Sequence, residues 1–146
     1  MHKMTLCALG AVAMAWAVPA ASQELPVVPG DYWDVQGIKI DDGHFAEYAD
    51  FLASDFRKES EFAKSKGWMK GYYMLENVNA RADEPNLYLI RIYDHMPTAA
   101  EQVQRQKEMT AFVGSTTRQQ LAQSGARGSY RHIGSNELLQ VLNFAH

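Results

Sequence analysis

Arg91-x-Tyr93-x-His95 sets a guanidinium, a phenol and an imidazole at a spacing of two. In an extended strand, residues so spaced share one face. Beside Leu87 and Leu89 they would suit an anionic or phenolic ligand in an apolar cleft. The plainer alternative is structural: Arg91 pairs with a carboxylate across a sheet, while Tyr93 and His95 lead out into solvent. Ion pairs of that kind perturb titrating groups much as active sites do, so the motif alone does not separate the two. Trp33 and Tyr73, with Tyr72 and Trp68, form a second group of strand aromatics that could line the same cleft. Aromatic residues on strands more often serve a core or a dimer interface. The candidate ligand-binding residues are therefore Arg91, Tyr93, His95, Trp33 and Tyr73.

Other chemistry finds little footing. His44, His95, His132 and His146 carry metal-ligand atoms, but no pair has the spacing of a zinc or iron site, so neither a metal nor a cofactor is expected. Ser129 and Ser135 lie outside any G-x-S-x-G setting, and there is no glycine-rich phosphate loop. No residue is assigned a catalytic role.

The first residues read as an address. His2 and Lys3 precede an apolar run from Met4 to Val18, followed by the small residues of Val18-Pro19-Ala20-Ala21-Ser22. This is the pattern of a secretory signal peptide, with cleavage after Ala20 or Ser22. The run is shorter than the roughly 20 residues a bilayer helix needs, so no stable membrane anchor is expected after cleavage. The protein is expected to be exported, either periplasmic or secreted. Cys7, the one cysteine, leaves with the leader, which excludes an intramolecular disulfide and a thiolate nucleophile. Losing Lys3 takes the formal charge from −3 to −4. A mildly acidic body without a basic cluster argues against nucleic acid and anionic membranes.

The 146 residues, 47% of them hydrophobic, suffice for one packed domain. Residues 1–22 are the leader, 23–30 a tether containing Pro26 and Pro29, and 31–146 a single α+β domain.

The elements that must position the candidates are organised around Asp41–Asn77. Phe45, Tyr48, Ala49, Leu52, Phe56 and Ala63 make an apolar stripe on a helix expected from Gly43 to Lys66, about 36 Å long, with an aspartate of Asp41-Asp42-Gly43 as N-cap and Gly67 as stop. Strands at Tyr32–Ile40 and Met69–Asn77 flank it. In the first of these, Trp33 and Val35 occupy one parity and Ile38 and Ile40 the other. This implies either a bulge or bend at Gly37, or a strand buried on both faces. After a polar hairpin loop, Asn77 to Asn86, Leu87–Tyr93 is apolar on both faces and reads as a central strand. Thr98 with Glu101 is a capping box for a second helix anchored by Val103 and Met109. Thr116-Thr117-Arg118-Gln119 starts a short third one that Gly125 should stop, and Glu137–Phe144 is the last strand.

The β–α–β–β–α–β order is the ferredoxin-like split βαβ arrangement. It predicts a four-stranded antiparallel sheet, the two main helices on one face, and the first and third strands in the middle. In this element order the stretch from Tyr32 to Phe144 resembles the dimeric α+β barrel proteins, which include antibiotic-biosynthesis monooxygenases, EthD-like proteins and NIPSNAP-like proteins. It also resembles a group of uncharacterised exported bacterial proteins. One helix layer covers one side of a sheet, so the far side of an apolar central strand calls for a homodimer interface. Two functions follow. The first is a non-catalytic exported homodimer that binds a small molecule or acts as an accessory protein. The second, implied by the barrel resemblance, is a cofactor-less oxygenase or isomerase acting on a small aromatic or anionic substrate.

Overall fold

The computed structural model describes residues 25–145. The expected leader, residues 1–22, lies outside them, as does His146. The described chain is an α+β domain: a four-stranded antiparallel sheet with three helices. The strands are β1 (Val27–Ile40), β2 (Gly71–Glu76), β3 (Leu87–Tyr93) and β4 (Arg131–Phe144), in the spatial order β2-β3-β1-β4. The first and third strands are therefore central, as the two-faced apolarity of Leu87–Tyr93 requires.

The first helix, α1 (residues 45–65), is one rod with a wide turn in its middle: α-helical over Phe45–Phe51 and Arg57–Ser65, π-helical over Leu52–Phe56. Within it the Ser54 hydroxyl donates to the Asp50 carbonyl at 2.6 Å, a bond that competes with the helical ladder. The wide turn has a packing consequence. Tyr48, Leu52, Phe56 and Ser60 are all buried at a constant step of four. In a regular α-helix that step overshoots a full turn by about 40°, and a wider turn absorbs the drift.

The expected aspartate cap is not there. His44 occupies the N-cap without capping a backbone N–H, its ring stacked on Tyr130 at 5.0 Å and its Nδ1 3.1 Å from Glu47 Oε2, because the left-handed turn at Gly43 (φ 85°) separates Asp41 and Asp42 from the first helical turn. The Asp41 carboxylate instead meets His132 at 3.1 Å. Gly67, also left-handed (φ 69°), follows the end of α1 as expected.

Tyr48, Leu52 and Phe56 pack on Ile38, Ile40, Leu87, Leu89 and Tyr130 to form the core. Directly opposed residues share a sheet face, so Tyr72, Arg91, Asp34 and Leu138 make one row across the helix-covered side. The other side carries the rows Tyr73, Ile90, Val35 and Ile92, Trp33, Leu139. Val35 and Ile90 are buried there, whereas Tyr73, Leu75 and Leu139 stand about half exposed.

Both readings of β1 contain part of the answer. Its pairing with β3 runs unbroken through Gly37, so Trp33 and Val35 lie on one face and Ile38 and Ile40 on the other. A register shift does fall between Gly37 and Ile38, but on the β4 side, where Gly134 is the extra residue.

Residues 27–30, expected as tether, are strand: Val27, Val28 and Pro29 pair with Phe144, Asn143 and Leu142, and the Ala145 N–H donates to the Pro26 carbonyl at 2.9 Å. The β1–β3 ladder ends where Tyr93 opposes Tyr32, so this stretch has a single neighbour and tolerates a proline. β4 likewise starts earlier than expected, at Arg131.

Both capping boxes form. Thr98 Oγ1 accepts from the Glu101 N–H at 3.3 Å while the Thr98 N–H donates to Glu101 Oε2 at 2.7 Å, opening α2 (Ala99–Val113). Thr116 and Gln119 do the same for α3 (Thr117–Ala126), which runs through Gly125 into a short 3₁₀ turn, Arg127–Ser129. The anchors of α2 differ in part from those expected. Val103 is exposed. Phe112 stacks on Phe62 with centroids 4.0 Å apart and Lys66 pairs with Glu108 at 2.8 Å, so α2 leans on the last turns of α1.

Candidate functional site

Where α2 leans away from the sheet, a cleft of about 400 Å³ is left between them. Its walls include Asp34 of β1, Tyr93 of β3, Arg105 of α2, and Trp68, Met96 and Leu138. A smaller cavity of about 160 Å³ adjoins it, bordered by Phe56, Glu59, Arg91 and Met109. Tyr93 and Ala63 border both. The two residues therefore stand where the larger, outer chamber adjoins the smaller one.

Burial raises the Tyr93 hydroxyl above its ordinary value, and the neighbouring Arg91 offsets part of that rise. At neutral pH it is a protonated donor. Arg91 points its Nη1 at Asp34 Oδ2, 3.5 Å away, and its guanidinium lies 5.3 Å from the centre of the Phe56 ring. Burial also raises the Glu59 carboxyl, with Asp55 adding to the effect and Arg91 and Arg127 opposing it. At the outer chamber, Trp68 stands edge-on to Phe62 at 5.5 Å and accepts a bond on its carbonyl from Arg105 Nη1 at 3.3 Å. The Arg105 side chain is only 17% exposed.

Of the five candidates, the structure brings Arg91 and Tyr93 together on the helix-covered side. For Arg91 the plainer alternative describes the geometry: it meets a carboxylate directly opposite it on the next strand. His95 lies beyond the end of β3, where the two-residue alternation no longer applies. It is exposed, with Nδ1 2.7 Å from Asp94 Oδ1 and Nε2 3.7 Å from Glu101 Oε1. The hydrogen bond from His95 holds the Asp94 carboxyl below its usual range. Trp33 and Tyr73 are on the opposite sheet face, opposed to Ile92 and Ile90, and do not share a site with Arg91.

Of the wall residues only Tyr93 belongs to the candidate set, and the two most telling of the others are Trp68 and Arg105. Trp68 is among the grouped aromatics but sits in the turn before β2 rather than on a strand. Arg105 lies four residues after Glu101, and in sequence that spacing reads as an ordinary solvated helix pair.

Among the described residues no three His, Cys, Asp or Glu side chains gather as a metal site would need, and no helix is long and apolar enough to cross a membrane. No protein-family model matches the chain, and no match is found among the curated proteins.

Proposed function

We propose that this chain is an exported, homodimeric small-molecule-binding protein of ferredoxin-like fold, paired sheet to sheet as in the dimeric α+β barrels. The observation that carries the binding reading is the cleft between sheet and α2. Its volume of about 400 Å³ falls in the range of small-ligand sites, and its walls are largely apolar with a few converging polar groups. The dimer reading rests on the far sheet face, where half-exposed Tyr73, Leu75 and Leu139 surround buried Val35 and Ile90. Apolar surface of that extent is usually covered in soluble proteins. Export rests on the pattern of residues 1–22, and mass spectrometry of the mature N-terminus tests it: a retained Met1 would overturn it.

A cofactor-less oxygenase or isomerase is the second reading, favoured by one observation. Tyr93 is a protonated phenol on the wall of the largely apolar cleft, with the Arg91 guanidinium nearby, and could donate a proton or hydrogen bond to a developing anion. Thermal-shift screening of the purified protein against small aromatic acids, phenols and their neutral analogues tests the binding reading, since a ligand specific to the native state raises the melting temperature. Hits whose shift survives blocking the cleft with Ala63→Trp would place binding elsewhere. Turnover of a hit that Tyr93→Phe abolishes would favour the enzyme.

A further inference from the structure

We infer that the outer chamber takes an aromatic carboxylate, with Arg105 as the group that holds the carboxylate. This rests on the small-molecule-binding reading above and specifies its ligand. Two charged side chains line the chamber, Asp34 and Arg105, and they are differently placed. Asp34 already faces Arg91. Arg105 is held more loosely: its ion pair with Glu101 Oε1 is 3.9 Å long, beyond hydrogen-bond length, and its guanidinium lies 5.8 Å from the centre of the Trp68 ring.

Glu101 is held back by its own duties. Its Oε2 takes both the backbone N–H and the hydroxyl of Thr98, at 2.7 and 2.8 Å, and its Oε1 also faces His95. The bonds from Thr98 are the main reason its carboxyl sits below the usual range. The capping box thus fixes the carboxylate at the head of α2, just short of the guanidinium one turn on. Of the five N–H donors of Arg105, the bond to the Trp68 carbonyl uses one. A largely buried guanidinium with donors to spare is a planar fork matched to a carboxylate.

The remaining walls decide what carries that carboxylate. Trp68 and Tyr93 present aromatic rings, and Met96 and Leu138 add a thioether and an aliphatic group. These surfaces suit a flat apolar body of one or two rings. A dianion such as a phosphate monoester fits less well, because a single guanidinium would face it with Asp34 and Glu101 close by.

Isothermal titration of the purified protein with benzoate and 2-naphthoate, each against its uncharged amide, tests the inference. The expected result is that a carboxylate binds at least about tenfold more tightly than its amide. Arg105→Gln should weaken the carboxylate roughly ten- to a hundredfold while leaving the amide unchanged. Arg105→Lys keeps the charge but loses the fork, and should fall between the two. It also serves as the comparison if the glutamine variant does not fold. Equal binding of acid and amide, or full carboxylate affinity in both variants, would overturn the carboxylate assignment and leave the cleft a binding site. Failure of both acids and both amides to bind would overturn the assignment together with the reading it rests on.

Discussion

Arg91 and Asp34 oppose each other across the β3–β1 ladder, guanidinium to carboxylate at 3.5 Å, with the Phe56 ring 5.3 Å from the guanidinium. Both side chains are about one-third exposed, so the charge interaction is modest and the packing of the arginine stem matters as much. Arg91→Met should cost about 1 kcal/mol and Arg91→Ala about 2 kcal/mol, because only alanine also gives up the contact with Phe56. A double-mutant cycle with Asp34→Asn, read by urea denaturation, should return a coupling below about 1 kcal/mol. A coupling of several kcal/mol would mean that the pair is drier than its exposure indicates.

The far sheet face supplies the second prediction. Tyr73→Glu and Leu75→Glu place a charge on half-exposed positions that the monomer itself tolerates. Sedimentation equilibrium at micromolar concentration should show a dimer for the parent protein and a folded monomer for the double variant. A monomeric parent would remove the sheet-to-sheet dimer.

Glu59 supplies a pH dependence whose sign is set by burial. Its folded-state carboxyl is raised, so stability is full below the unfolded value and is lost as pH climbs through the folded one. Glu59→Gln removes that loss. Its melting temperature should exceed the parent's by a few degrees at neutral pH, with the difference vanishing below the carboxylate range. An equal difference at pH 4 and pH 7 would trace the effect to packing instead.

At Gly37 a methyl group would run into Ser135 Oγ and come within 2.8 Å of Pro85 Cγ, where the β2–β3 loop covers the register shift of β4. Gly37→Ala should therefore destabilise by roughly 1–3 kcal/mol. Pairing it with Ser135→Gly should recover part of the loss, as measured by the denaturation midpoint. A neutral Gly37→Ala would show that the loop simply moves aside.

What was legible in the sequence was local or doubly determined. Thr98 with Glu101 and Thr116 with Gln119 announce helix starts within four residues, and Leu87–Tyr93 announces a central strand by being apolar on both parities. The π turn was hidden because Tyr48, Leu52 and Phe56 fit an ordinary helical stripe. Val27–Gly30 was hidden because Pro29 reads as a breaker, while the partners that make it strand are Leu142 to Phe144 at the other end of the chain. For the site, alternation correctly set Arg91 and Tyr93 on one face. It could not place Tyr73 relative to them, since Tyr72 and Tyr73 are adjacent and either could face the helices. Arg105 is invisible at that level, because the looseness of its pairing depends on the bonds from Thr98 that occupy Glu101.

The ladder between β1 and β4 also constrains the order in which the fold is completed. The β2–β3 hairpin and the capped helices close over short sequence distances, whereas Val27 must find Phe144. Contacts of such separation carry the largest loop-closure entropy, and they set folding rates. During synthesis β1 emerges before every other described element and β4 after them, so a central strand keeps one hydrogen-bonding edge bare until the last segment arrives. That bare edge is the feature of a nascent chain that most invites pairing with a neighbour. A chaperone that holds this chain while it is incomplete would act most effectively on β1.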